Sequence, residues 1–316
     1  MNAHRQHPPH FPPPLAPFHG EVPPAPDWFN AALADEPERS FVTVQGAPIE
    51  TLAWGRRGDP GLLLLHGNSA HADWYSFIGP LLKAGRRVVA LSFSGMGGSG
   101  WRTQYSEAQW ADEALAVAEA TGLFDAPVPP VIAAHSFGGF VLMNLAARHG
   151  DRLARAVIVD TPMRPPARAE ARRSRPELLR SAKVYATEAE ALQRFRLLPP
   201  QGCAHPFIAD VIARRGLKQT VGGDGKPGWI WRFDPFLFRH FSFGRPLAEL
   251  RAARCPVTLV RGGRSRLATP ELMALGLERA PAGTPLLEVP DADHHVMVDQ
   301  PLAFAALLRE LVPAAP

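Results

Sequence analysis

The sequence predicts an α/β fold: a mostly parallel central sheet with helices on both faces and one long, largely helical insertion. Three observations carry that expectation. Six short apolar runs lack polar alternation, amphipathic segments separate most of them, and the 95 residues from Thr161 to Cys255 are too long for a simple crossover. A strand buried on both faces reads as a continuous apolar run because neither side of its pleat meets water.

Residues 1–26 are rich in Pro and His and poor in aliphatics, so they are expected to form a disordered tail. Its histidines (His4, His7, His10, His19) lack the Cys or carboxylate neighbours of a structural metal site and read as solvated side chains. From Phe41, "FVTVQG" and "PIETLAWG" alternate around a Gly-containing turn and predict a β-hairpin. The apolar runs follow: "LLLLHG" at 62–67, "RVVALSF" at 87–93, "PVIAAHS" at 130–136, "RAVIVD" at 155–160, "PVTLVRG" at 256–262 and "PLLEVPD" at 285–291. Between them, "YSEAQWADEALAVAEATGL" opens with a Ser106-x-x-Gln109 capping box, "GGFVLMNLAARHG" stops at Gly150, and "DQPLAFAALLRELV" closes the chain. The insertion carries helical stretches near 176–198 and the aromatic-rich "GWIWRFDPFLFRHF" at 228–241. The expected organisation is a tail (1–26), a core (27–161 and 250–316) and a cap (162–249).

Composition narrows the function classes. The 316 residues, 46% hydrophobic and 20% charged, can bury a large core. Cys203 and Cys255, far apart and without CxxC spacing, support neither a disulfide framework nor a zinc site, so a reducing compartment is expected. No secretory h-region and no run of about 18 apolar residues is present, so a soluble cytoplasmic protein without a membrane span is expected. The net charge of +4 comes mostly from scattered arginines. The one cluster, Arg168, Arg172, Arg173 and Arg175, is interleaved with Glu170 and Glu177 and lacks stacking aromatics, so it reads as a solvated helix face and nucleic acid is excluded as a partner.

The chemistry gathers around "VIAAHSFGGF" at 131–140. Ser136 stands where a buried strand turns sharply into a helix, and Gly138 and Gly139 let the two pack closely. An alcohol is a poor nucleophile near neutral pH; it needs a base in hydrogen-bond reach, an acid to orient that base, and donors for an oxyanion. For the base, "DADHHVMVDQP" at 291–301 offers His294 or His295 just past the last strand.

With Ser136 on its elbow and those histidines before the closing helix, residues 41–316 resemble the α/β-hydrolase superfamily. The family's final motif, laid on "DADHHVMVDQP", implies His294 as the catalytic base, while Asp299 reads better as the N-cap of the closing helix with Pro301 in its first turn. The same resemblance assigns the oxyanion donors to the backbone N–H groups of Asn68, in His66-Gly67-Asn68, and of Phe137; His66 reads as a brace for that loop. Many members carry the acid after the strand that here reads "PVTLVRGGRSRLATPE", but Ser265 and Arg266 occupy the place. Others place it one strand earlier, and Asp160 is the carboxylate at that edge which keeps the Ser, Asp, His order. "ALSFSGMGGSGW" at 90–101 resembles the family's D-x-R-G-x-G-x-S loop with Ser92 and Ser94 in place of Asp and Arg.

These residues imply a cofactor-free, metal-free serine hydrolase that cleaves carboxylic esters through an acyl-enzyme. Met96, Trp229 and Trp231 are candidate pocket residues, and the aromatics of the insertion suggest a small-molecule ester with an apolar acyl or aryl group. A C–C bond hydrolase, lactonase or amidase would use the same triad, and a slow ligand-binding sensor of the same fold is the competing class.

Overall fold

The computed structural model describes residues 11–164, 183–239, 241–312 and 314. The arginine cluster at 168–175 and residues 1–10 lie outside the described residues. Among the described residues no helix is long and apolar enough to cross a membrane.

The hairpin forms from β1 (Glu38–Val44) and β2 (Ala47–Trp54). The apolar runs become β3 (Gly61–Leu65), β4 (Arg87–Leu91), β6 (Val131–His135), β7 (Arg155–Val159), β11 (Val257–Gly262) and β12 (Leu286–Val289). Together they make an eight-stranded sheet in the order β1-β2-β4-β3-β6-β7-β11-β12, antiparallel at β1-β2-β4 and parallel beyond. β3, β4, β6 and β11 are buried along their whole length, which accounts for their unalternating sequences.

One face is covered by α3 (Glu107–Ala120), α4 (Phe137–His149), α7 (Pro246–Arg251) and α8 (Pro270–Arg279), whose Trp110, Phe140, Leu250 and Met273 enter a common apolar layer. The other is covered by α1 (Asp27–Ala34), α2 (Gly79–Leu82), α9 (Val296–Asp299) and α10 (Pro301–Leu311), through Phe29, Leu82, Met297 and Phe304. At the start of α3 the Ser106 hydroxyl accepts from Gln109 N at 3.0 Å, the first half of the expected capping box. The Gln109 amide nitrogen itself is buried without a hydrogen-bond partner among the described residues.

Two expectations need correction. Residues 11–26 are packed against the molecule: Leu15 is buried in a small cluster with Tyr185, Leu192 and Leu217, and the carbonyls of Phe11 and Gly20 accept from Arg196 and Arg214. A stretch too polar to fold alone is held by a surface that the rest of the chain supplies. The described part of the insertion is also less helical than expected. Its described part holds α5 (Glu188–Leu192), α6 (Pro206–Arg215) and a hairpin of β8 (Leu217–Val221) with β9 (Pro227–Trp231). The Gly-rich turn in "TVGGDGKPG" is the sequence signal for that hairpin.

Main-chain contacts then lay residues 232–239 and 241–242 across the sheet's C-terminal edge. Gly97 N donates to Arg232 O at 2.8 Å and Asp234 N to Gly95 O at 2.7 Å, and β10 (Phe241–Ser242) pairs in parallel with β5 (Tyr105–Ser106).

Candidate active site

The sheet's C-terminal edge brings Ser136, Asp160 and His294 together. Ser136 follows β6 with φ 52° and ψ −121°, a left-handed backbone that non-glycine residues adopt at a cost of about 1–3 kcal/mol. Neighbouring packing fixes the turn: Ser136 N donates to Val159 O at 2.8 Å, and Thr161 Oγ1 donates to Ser136 O at 2.8 Å. A Cβ on Gly138 would come within 2.5 Å of His66 O, and one on Gly139 would collide with Thr161 Oγ1, so both glycines are required by close approach.

The Ser136 hydroxyl donates to His294 Nε2 at 2.9 Å, and His294 Nδ1–H donates to Asp160 Oδ2 at 2.7 Å. Asp160, also in a left-handed conformation at φ 47°, is fully buried. Its Oδ1 accepts from Gly262 N at 2.7 Å, and its Oδ2 accepts from Ser265 Oγ at 2.6 Å as well as from the histidine. A buried carboxylate with three donors is satisfied in its ionised form. Ser265 is the residue that sequence reasoning missed. It occupies the strand end where the resemblance expects an acid, and its hydroxyl reaches across to the acid on β7; its Oγ in turn accepts from Leu267 N and Ala268 N. A serine in place of a carboxylate is the only signal the sequence carries.

The His66–Asn68 loop lies against the elbow: a Cβ on Gly67 would be 3.1 Å from the Ser136 Cβ. Among the described residues no hydrogen bond engages the N–H of Asn68 or Phe137. His66 braces the loop as expected. Its Nε2 accepts from Phe93 N at 3.0 Å and its Nδ1–H donates to Gly67 O at 2.7 Å; burial pushes its pKa down to about 3, so it stays neutral.

Asp299 does not cap the closing helix. Gln300 is the residue before α10, and Asp299 instead accepts from Gln201 Nε2 at 2.9 Å and Asp293 N at 2.9 Å. Gln201, from the insertion, also accepts His295 N at 3.0 Å, so the carboxylate ties the histidine loop to that segment. Burial raises the Asp299 pKa to about 6.

The substituted 90–101 loop finds its acids elsewhere. Glu50 of β2, buried, accepts from Ser92 Oγ at 2.8 Å and Gly98 N at 2.8 Å and pairs with Arg39; Glu113 of α3 accepts from Ser94 N at 2.9 Å.

Beside Asn68 lies a small cavity with about 10 Å³ of free interior, lined by Ser69, Met96, Phe233, Asp234, Pro235, Leu237 and Phe238. Met96 reaches it. Trp229 and Trp231 do not: they pack against the cluster of Tyr185, Leu192 and Leu217. Phe238, Phe241 and Phe243 instead surround the Phe137 ring at centroid distances of 5.8, 5.3 and 6.2 Å.

Residues 62–307 match the family model described as "Alpha/beta hydrolase family". The esterase Rv0045c of Mycobacterium tuberculosis is 27% identical over 289 residues, covering 88% of this chain and 94% of that protein. A pimeloyl-[acyl-carrier protein] methyl ester esterase of Aromatoleum aromaticum is 35% identical over 102 residues, 32% of this chain and 37% of that one. The solved thioesterase domain from the curacin biosynthetic pathway superposes with TM-score 0.69 at 21% identity over 86% of this chain and 98% of that domain, a likeness of fold.

Proposed function

The chain belongs to the alpha/beta hydrolase family, and from that premise we propose that it is a serine hydrolase that cleaves small-molecule carboxylic esters through an acyl-enzyme. One observation carries the reading: a hydroxyl on a strained turn, 2.9 Å from an imidazole nitrogen whose other nitrogen is held at 2.7 Å by a buried carboxylate. In a pure binding protein such a turn would have no physical purpose. The esterase likeness over nearly the whole length of Rv0045c supports the ester over the amide.

In this mechanism Ser136 Oγ attacks the acyl carbonyl as His294 Nε2 takes its proton. Asp160 holds the Nδ1–H tautomer and stabilises the imidazolium. The new oxyanion accepts from the N–H groups of Asn68 and Phe137, each donor contributing about a hundredfold to a thousandfold in rate. Collapse expels the alkoxide, which receives the proton from His294; a water activated by the same histidine then releases the acid. Residues 162–249 act as a cap, and the aromatics around Phe137 and the Met96 cavity select apolar acyl or aryl groups.

Hydrolysis of p-nitrophenyl esters from acetate to palmitate, with fluorophosphonate labelling alongside, tests the reading. Ser136→Ala should lose both turnover, by about 10⁴-fold or more, and labelling. A folded wild-type protein that neither turns over nor labels would sink the proposal.

A further inference from the structure

An oxyanion donor is useful only if it is aimed before the charge develops. The N–H of Phe137 shares a planar trans peptide with the carbonyl of Ser136, so the two groups point in opposite directions and fixing one fixes the other. Ser136 sets the tilt of that plane through ψ −121°, on a residue already left-handed at φ 52°. Such a backbone persists only where its surroundings over-determine it. Rotation about Ser136 ψ and Phe137 φ moves that one peptide and leaves the strand and helix in place, so it is the shortest route by which the turn can relax. The carbonyl oxygen therefore needs a hold.

Two donors supply it. Gly139 N, in the first turn of α4, donates to Ser136 O at 2.9 Å, as an N-cap carbonyl ordinarily accepts. The second donor comes from outside the helix: Thr161 Oγ1, on the residue after Asp160, reaches the same oxygen at 2.8 Å. A hydroxyl has one proton to give, and the other carbonyl near it, Val159 O at 3.4 Å, already accepts from Ser136 N at 2.8 Å, so the shorter bond takes it. Thr161 is fully buried, and the chain makes room for it at a glycine, since a Cβ on Gly139 would collide with Thr161 Oγ1. A carbonyl that accepts twice is polarised, which makes the N–H of the same peptide a stronger donor.

We propose that Thr161 is a positioning residue for the oxyanion site: its hydroxyl locks the Ser136–Phe137 peptide so that the Phe137 N–H faces the acyl oxygen. The end of β7 then serves both halves of the chemistry, Asp160 orienting the base and Thr161 orienting the donor. The assignment rests on the ester-hydrolase reading.

Full-length wild type, Thr161→Ala and Thr161→Ser are compared on p-nitrophenyl acetate and on its thiono analogue, in which the charge develops on sulfur, a weak hydrogen-bond acceptor. Thr161→Ala should lower kcat for the oxygen ester by about tenfold to thirtyfold with KM within about twofold, less than the loss of a whole donor because Gly139 still holds the carbonyl. The loss on the thiono ester should be about threefold or less. An alkyl trifluoromethyl ketone, to which Ser136 Oγ adds as its proton passes to His294, leaves the same oxyanion and should lose affinity in step with kcat/KM. The midpoint of kcat/KM against pH should not move, whereas a disturbance of neighbouring Asp160 would shift it. Thr161→Ser, which keeps the hydroxyl, should recover most of the rate; if Thr161→Ala does not fold, Thr161→Val carries the same comparison with the volume kept. A Thr161→Ala enzyme as fast as an active wild type, an equal loss on both esters, a shifted pH midpoint or no recovery in Thr161→Ser would each overturn the assignment alone. A wild type that neither hydrolyses the esters nor labels with fluorophosphonate would sink the ester reading, and the assignment with it.

Discussion

The sheet's C-terminal edge and the segment at 183–249 are built on different principles. At the edge, polar groups are held by several partners at once: Asp160 accepts from Gly262, Ser265 and His294, and the Ser136 turn is fixed by hydrogen bonds to Val159 and Thr161. The segment instead folds around its own small cluster of Tyr185, Leu192, Leu217 and neighbouring tryptophans, and meets the edge through a few main-chain bonds, the side chain of Gln201 and phenylalanine rings. The difference separates two tasks. Rigid, over-determined geometry suits bond making, where a displacement of about 1 Å can cost a hundredfold, whereas apolar packing can change its shape without disturbing the Ser136 turn.

If that division is right, substitutions at the edge should lower kcat by one factor for every ester. Asp160→Asn should lower kcat by about 10³–10⁴-fold across acetate, butyrate and octanoate with KM little changed, because the histidine loses its tautomer and its counter-charge. Ser265→Ala removes one charge-assisted hydrogen bond from a carboxylate that keeps two other partners, and should cost about tenfold in kcat. A Ser265→Ala enzyme as fast as wild type would make that hydroxyl a cap for Leu267 and Ala268 alone.

How much of each region the sequence disclosed follows from the same contrast. The six apolar runs and the elbow were legible because burial on both faces and a serine before two glycines are local patterns. The position of Asp160 beside His294 was legible by chain order and strand end. Ser265 was not, because its role depends on β7 and β11 being neighbours, which the order of strands along the chain does not reveal. The same holds for Glu50, which serves the Ser92 loop from an adjacent strand, and for Asp299, where a helix-capping residue was diverted by Gln201, almost a hundred positions earlier in the chain. In the insertion, Trp229 and Trp231 read as pocket residues by type, but alternation along β9 turns them to the segment's own core.

A substitution on the segment side should move selectivity and leave the chemical step alone. Phe238→Ala enlarges the cavity beside Asn68 and should shift the preferred acyl chain to a longer one, changing the ratio of kcat/KM for octanoate over acetate by about tenfold. The acetate kcat should stay within about twofold. A uniform fall in kcat across the series would show that the aromatic ring positions the Phe137 N–H, and the two regions would then be one machine.

The smallest effect is expected at the seam. Glu107, at the start of α3, is buried; its carboxylate accepts from Gly244 N and faces Glu249, which binds Asn144. Burial, and then the charge of Glu249, push its pKa from the usual 4.5 to about 7. A raised carboxyl pKa means that the folded state holds the proton more tightly than the unfolded chain. The associated stability is therefore complete below about pH 4.5 and is lost as the pH rises through about 7. Wild-type Tm should fall by about 2–4 °C between pH 5 and pH 8.5 from this group, whereas Glu107→Gln, which keeps the acceptor and has no proton to lose, should remove that part of the slope. Scans of both proteins across that range decide it. Parallel Tm curves would mean that Glu107 is already ionised, its charge balanced by the Gly244 N–H, and that the segment is fastened to α3 independently of pH.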